Sequence, residues 1–300
     1  MLTRLGHVDP FDSDRARWVQ TLHRWFDNQL YGIPNGILRE PRVDVEVRPG
    51  QWVNARSWPM QARTLLHPQA DGRLARLPGQ GDAAFTNDPT QRESRAVSEG
   101  PNANRLLFTS APLAQDTRLS GTTRVSLDVT TEVPTGQVGV FLVDYGTDTR
   151  VLATRDGATT LDTESCYGES VAYDDPCYFD VTRRLGETPL QTLARGWARL
   201  DGAGPHEVTV ELTPQDNLLT QGHRLGLVVV ASSPDWLETV DATSSTYTLD
   251  LGSTRLTLPG GVAFSATAPG AESRAAAVPA RADLPPGTVS LHQDRPRLPR

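Results

Sequence analysis

Lysine is absent: all 29 basic residues are arginine. Codon bias towards G and C accounts for this without a functional demand, and the arginines form no cluster. With 36 acidic residues the formal net charge is −7 and the pI is near 5.4. That balance argues against nucleic acid as a partner, because phosphate binding needs a concentrated basic face. Long apolar runs are also missing. None approaches the roughly 20 residues of a membrane span, so no membrane partner is expected. Residues 1–30 carry Asp, Arg and His throughout with no apolar centre, which is not the pattern of a signal peptide. Cysteine is scarce, with only Cys166 and Cys177. Two cysteines without a histidine beside them fall short of the roughly four ligands of a structural zinc. No two histidines have metal-ligand spacing and no Gly-rich phosphate loop precedes a helix, so neither a metal nor an organic cofactor is expected. The nucleophile-elbow pattern G-x-S-x-G does not occur. Its nearest approach, Gly168-Glu169-Ser170-Val171-Ala172, lacks the second glycine and falls between the cysteines, where Ser170 reads as a loop serine.

What is present is a soluble, globular composition: 37% hydrophobic residues and a mean hydropathy of −0.40 over 300 residues, enough for one large or two medium domains. The chain is organised around its opening stretch, Leu5-Gly6-His7-Val8-Asp9-Pro10-Phe11-Asp12. A short apolar run enters a Gly-His turn, and Asp12 or Ser13 can cap a helix beginning near Asp14. A histidine on a strand-to-helix turn is where many hydrolases carry a general base. Asp9, Asp12 and Asp14 stand beside it. One of them orienting the imidazole is the sharp reading; for Asp12 and Asp14, capping and compensation of the helix dipole is the stronger one. The helix over residues 12–31 puts Trp18, Leu22, Trp25, Phe26 and Leu30 on one face, Gly32 stops it, and the aromatic stripe requires another layer to pack on.

From Val43 the period changes to two: Val43-Asp44-Val45-Glu46-Val47 alternates as a half-buried strand does. Further strands are expected over 52–58, 63–66, 105–110, 122–130, 137–145, 151–154, 178–182, 192–200, 207–212, 224–231, 247–251 and 255–258. The connections are too short for crossover helices, so these strands describe an antiparallel sandwich rather than a parallel sheet. Residues 69–104, rich in Gly, Asp, Asn, Arg and Pro, read as a long loop, functional or disordered. Residues 259–300 lack periodicity and read as a disordered tail. The separation of Cys166 and Cys177 suits a disulfide closing a small loop, which would imply an oxidising compartment and point towards secretion. Two free thiols are the alternative, and the compartment stays open.

Gly6-His7-Val8-Asp9-Pro10-Phe11-Asp12, with Trp18-Val19 and Leu22-His23-Arg24-Trp25-Phe26-Asp27, resembles the end of the catalytic domain of the Xaa-Pro dipeptidyl-peptidases. These are S15-type serine peptidases of the α/β-hydrolase fold, related to cocaine esterase and α-amino-acid ester hydrolases. Phe85-Thr86-Asn87-Asp88-Pro89, Leu106-Leu107-Phe108-Thr109-Ser110-Ala111-Pro112-Leu113, Leu119-Ser120-Gly121-Thr122 and Gly222-His223-Arg224-Leu225 are similar to recurring segments of their C-terminal jelly roll.

The resemblance implies a mainly β fold: an antiparallel jelly-roll sandwich preceded by the last strand-turn-helix of an α/β-hydrolase domain. Residues 1–40 would be the remnant of the catalytic domain, 41–258 the jelly roll and 259–300 the tail. It assigns one catalytic position, His7, as general base. In an α/β-hydrolase the chain order is Ser, Asp or Glu, then His, so the nucleophile and acid would lie upstream and this chain would be inactive alone. The implied substrate is a peptide with a penultimate proline. The jelly roll would cap the active-site side and help form an interface, including a homo-oligomer, with residues 69–104 reaching towards the pocket. Two other readings stand beside this one. The first is an acyl ester or amide hydrolase of the same superfamily. The second is a free-standing jelly-roll module that binds carbohydrate through Trp52, Trp58, Trp197 and Trp236.

Overall fold

The computed structural model describes residues 11, 14–152, 157–173 and 175–265. Helix α1 spans Arg15–Tyr31, and a 3-10 turn over Ile37–Arg39 leads to a hairpin of β1 (Val43–Arg48) and β2 (Gln51–Ala55). Next come β3 (Thr64–Pro68), β4 (Leu74–Ala75), β5 (Asp82–Thr86), the short helix α2 (Glu93–Ala96), β6 (Leu106–Thr109), β7 (Thr117–Gly121) and β8 (Arg124–Thr131). Two long strands, β9 (Thr135–Val151) and β12 (Leu185–Asp201), flank a hairpin of β10 (Ala158–Cys166) and β11 (Cys177–Arg183). Strands β13 (Gly204–Glu211), β14 (Gln215–Leu219), β15 (Arg224–Val230), β16 (Thr246–Asp250) and β17 (Arg255–Leu258) complete the set among the described residues.

Two antiparallel sheets face each other. One has the order β12-β9-β15-β6. The other runs β4-β3-β17-β8-β16-β5, with β13 also paired to β8. Apart from β3 and β4, neighbours in these two sheets are non-consecutive strands, as a jelly roll requires. The alternation in β9 shows how the core is divided. Val138, Val140 and Leu142 join Leu225, Leu227, Leu249 and Leu256 in the space between the sheets. Phe141, Val143 and Tyr145 point the other way, onto Ala96, Val97, Val228 and Val230. Strand β9 is therefore buried on both faces, which is why its sequence reads as an unbroken apolar run. Each fully buried Leu contributes roughly 1.5–3 kcal/mol by leaving water.

Of the four sequence segments that resemble the family's β module, 106–113 and 222–225 meet directly, and 85–89 and His223 are each fixed by distant parts of the chain. Strand β6 pairs with β15, and past the end of β6 the Ser110 amide donates to the Leu225 carbonyl at 2.8 Å. Phe85 stacks on Tyr247 at 5.6 Å between centroids. The Asn87 side-chain amide donates to the carbonyls of Asp241 (2.9 Å) and Thr243 (2.8 Å). His223 is buried, with Nδ1 3.0 Å from the Asp144 carboxylate, which Arg150 also holds at 2.8 Å. Its ring fits because residue 146 is glycine: a Cβ there would lie 2.3 Å from the ring.

Residues 69–104 differ from the expected loop. They contain β4, β5 and α2, and Phe85 and Val97 are core residues. The segment is poor in apolar residues because its strands are short and its polar groups are spent locally, as when Gln91 donates to the Asn104 carbonyl at 2.9 Å. Strand β9 runs through Gly146 to Val151 instead of ending there. Strands β7, β10 and β14 were not expected; β7 and β14 pair only with each other, and their polar residues hide the period. Packing also continues beyond β17. Val262 is buried, and Phe264 packs on the core and bridges to Leu113.

Candidate active-site face

His7, Asp9 and Asp12 lie outside the described residues, which begin at Phe11. The structure does describe what surrounds the chain just after them. Helix α1 buries none of its seventeen residues. Asp14 occupies its N-cap position without a side-chain capping bond, and Gly32 ends it in the left-handed conformation, φ 67°. Trp25, Phe26, Leu30 and Tyr31 are 46%, 49%, 69% and 77% exposed. The face expected to pack on another layer is thus open to solvent.

Polar groups fasten the first turns of α1. Arg17 grips Asp44 with two parallel bonds, Nε to Oδ2 and Nη2 to Oδ1, both 2.7 Å. Its guanidinium lies 4.7 Å from the Trp52 ring centroid. Arg15 donates to the Phe179 carbonyl at 2.6 Å and covers the rings of Phe11 (4.3 Å) and Tyr178 (5.1 Å). Phe11 meets Tyr178 edge to face at 4.9 Å. The two hairpins are themselves tied. Glu46 in β1 is fully buried; its Oε1 accepts from the Gly50 amide at 2.6 Å and forms an ion pair with the Arg183 guanidinium in β11, Nε 2.6 Å away. The alternation over residues 43–47 therefore does not mark a half-buried strand: Val45, Glu46 and Val47 are each 1% exposed. Its two acidic residues face arginines of α1 and β11 instead of water.

Cys166 and Cys177 occupy directly opposed positions of the β10–β11 hairpin and form a disulfide, Cα–Cα 4.0 Å. Ser170 in the intervening loop donates to Asp175 at 2.9 Å. Asp180 accepts from the hydroxyls of Ser165 and Thr163, each at 2.7 Å. Those bonds, with the nearby Arg15 charge, hold its carboxyl below the usual carboxylate range. Asp14, Arg15, Asp180 and Arg183 line a shallow cleft where α1 meets the hairpin.

The remaining candidates are dispersed. His67 Nδ1 sits 3.1 Å from the Thr254 carbonyl, and His206 Nε2 sits 2.9 Å from that of Gly202. His23 is exposed on α1. No group of three His, Cys, Asp or Glu side chains among the described residues is placed to hold a metal. The four tryptophans have separate partners. Trp52 lies under Arg17, Trp58 donates to Asp216 at 3.2 Å, and Trp197 packs against the cluster around Phe141. Trp236 donates to Glu93 at 2.6 Å beneath Arg195. No helix among the described residues is long and apolar enough to cross a membrane.

The family model of the X-Pro dipeptidyl-peptidase C-terminal non-catalytic domain matches residues 35–275. The chain belongs to this family of β domains. A putative Xaa-Pro dipeptidyl-peptidase from Streptomyces avermitilis is 37% identical over 287 residues, covering 87% of this chain and 42% of the relative. One from Bacillus cereus is 28% identical over 228 residues, 73% of this chain and 34% of the relative. The chain thus spans less than half the length of these curated relatives. Among solved structures, a CocE/NonD family hydrolase from Staphylococcus aureus matches with TM-score 0.56 at 16% identity, over 82% of this chain and 46% of that one. An α-amino acid ester hydrolase matches with TM-score 0.54 at 16% identity, over 83% and 46%. These likenesses establish the fold.

The residues missed from sequence are those that fasten α1: Arg15, Arg17, Asp44, Glu46, Tyr178 and Arg183. One signal was present. Asp44 in a strand and Arg17 at the start of the preceding helix are complementary charges that one docking neutralises, whereas Glu46 finds its arginine in the distant β11.

Proposed function

We propose that this chain is the C-terminal portion of a serine dipeptidyl-peptidase that releases Xaa-Pro dipeptides from peptide N-termini. The observation that carries the reading is the family match over residues 35–275 combined with the Gly6-His7-Val8-Asp9-Pro10 sequence that precedes α1. The solvent-open aromatic face of α1 supports it, since a catalytic α/β layer is the apolar partner such a stripe lacks. Residues 1–40 would then belong to the catalytic body and the sandwich from 41 onward to the non-catalytic domain.

In the complete enzyme His7 takes the proton of the serine hydroxyl as the oxygen attacks the carbonyl that follows the penultimate proline. It then returns the proton to the leaving amine. Departure of the amine releases a peptide shortened by two residues and leaves an Xaa-Pro ester on the serine; a water deprotonated by His7 then hydrolyses that ester, freeing the Xaa-Pro dipeptide and restoring the serine hydroxyl. The G-x-S-x-G pattern does not occur in the 300 residues, and on this reading the nucleophile that His7 activates lies upstream and the chain is inactive by itself. The dipeptidyl-peptidase reading is preferred to an acyl esterase because the relatives found by sequence carry that name. It is preferred to a glycan-binding module because the four tryptophans have separate partners.

The test is the in-frame nucleotide sequence upstream of Met1. The reading requires an open frame encoding G-x-S-x-G followed by an acidic residue. A stop codon close upstream, with no such elbow nearby, would overturn it.

A further inference from the structure

The β10–β11 hairpin, closed by Cys166–Cys177, belongs to neither sheet of the sandwich; its strands pair only with each other. It carries apolar side chains into solvent, with Tyr173 in its loop 92% exposed and Phe179 and Tyr178 in β11 53% and 40% exposed. Where it does touch the rest of the chain, it touches the residues after His7: Phe11 against Tyr178, and Arg15 on the Phe179 carbonyl and over the Tyr178 ring. Phe11 is four residues from His7, and covalent geometry limits four residues to about 14 Å whatever path they take. The hairpin thus grips the chain within about three or four residue lengths of the proposed general base. From the other side, Glu46–Arg183 ties β11 to the hairpin that holds Arg17. The grip is therefore anchored at both ends.

We propose that the β10–β11 hairpin is a positioning element for the catalytic histidine, acting through Tyr178 and Arg15, with the disulfide keeping the two hairpin strands in register. The inference rests on the reading of His7 as general base. Tyr178 contributes its ring face and edge, not its hydroxyl, so phenylalanine replaces it and alanine does not. A base misplaced by a fraction of an ångström loses catalysis steeply, whereas substrate binding by other parts of the enzyme is spared.

The experiment uses the full 300-residue chain, with peptide-resolved hydrogen–deuterium exchange of wild type, Tyr178→Ala, Tyr178→Phe, Arg15→Gln and the double variant Cys166→Ser/Cys177→Ser. The expected result is exchange over residues 8–18 accelerated about tenfold or more in Tyr178→Ala, with Arg15→Gln and the cysteine variant moving the same way. Tyr178→Phe stays at the wild-type rate, and peptides from β15 are unchanged in all. Unaltered exchange over residues 8–18 in both Tyr178→Ala and Arg15→Gln would overturn the proposal. If Tyr178→Ala accelerates β15 as well, Arg15→Gln, on the helix surface, decides. In the enzyme completed by its upstream portion, Tyr178→Ala lowers kcat with KM unchanged and Tyr178→Phe restores it; a drop that Tyr178→Phe shares would overturn the ring's role. Loss of Xaa-Pro turnover from the completed wild-type enzyme would instead sink the functional reading and leave the exchange result standing.

Discussion

Between Val138 and Val143 every residue is buried, whereas none is buried in the seventeen residues of α1. The sandwich is held by apolar area: two sheets close over a continuous cluster that runs from Leu66 to Val262. The N-terminal helix and the two hairpins beside it are held by one bidentate arginine pair, one buried carboxylate paired with a second arginine and a few ring contacts. Apolar burial is non-directional and accumulates into a body that folds independently. Charged pairs near the surface are directional and individually modest, so they set the orientation of α1 without supplying a core. A region oriented by polar contacts while its apolar face stays open is built to meet a second surface.

The contrast can be broken or sharpened in three ways. Truncating the core acts on the whole fold. Leu227, fully buried in β15, becomes a cavity in Leu227→Ala, and the loss is about 2–5 kcal/mol in urea unfolding followed by tryptophan fluorescence. A loss under about 1 kcal/mol would mean that the sheets are not packed as described. Next is Asn87, whose amide satisfies two carbonyls beside the buried Asp241 carboxylate. Asn87→Ala leaves those acceptors without their donor and costs about 1–3 kcal/mol in the same assay. The smallest effect is on α1. Trp25→Gln with Phe26→Ser changes the stability of this chain by no more than about 1 kcal/mol, because both residues are about half exposed and outside the core clusters. The proposed function predicts a several-fold larger cost for the same pair in the complete enzyme, where a catalytic layer would cover the face. An equal, small effect in both settings would break the comparison.

The sandwich was readable from sequence to the extent that its strands alternate or run apolar. Strands β8, β9, β15, β16 and β17 were found for that reason. Strands β7, β10 and β14 were not, since polar residues occupy most of their positions and each pairs only with another peripheral strand. Residues 69–104 looked like a loop because composition averages over short elements whose order comes from tertiary hydrogen bonds. For the site, period alone could mark the aromatic stripe of α1 and place Gly-His ahead of it. It could not say that Arg15 and Arg17 reach two different hairpins, because that depends on how segments more than a hundred residues apart are brought together. Val43-Asp44-Val45-Glu46-Val47 misled in a useful way: alternation marks two unlike faces, and it does not say that the polar face meets water.

The account stands most directly on one kinetic measurement, release of nitroaniline from Ala-Pro-p-nitroanilide. It is made with the 300-residue chain and with the same chain preceded by its upstream reading frame, each with and without His7→Ala. The predicted result is no turnover by the 300-residue chain, turnover by the extended chain, and its loss in extended His7→Ala. Turnover by the 300-residue chain, or by extended His7→Ala at the rate of its parent, would contradict the account.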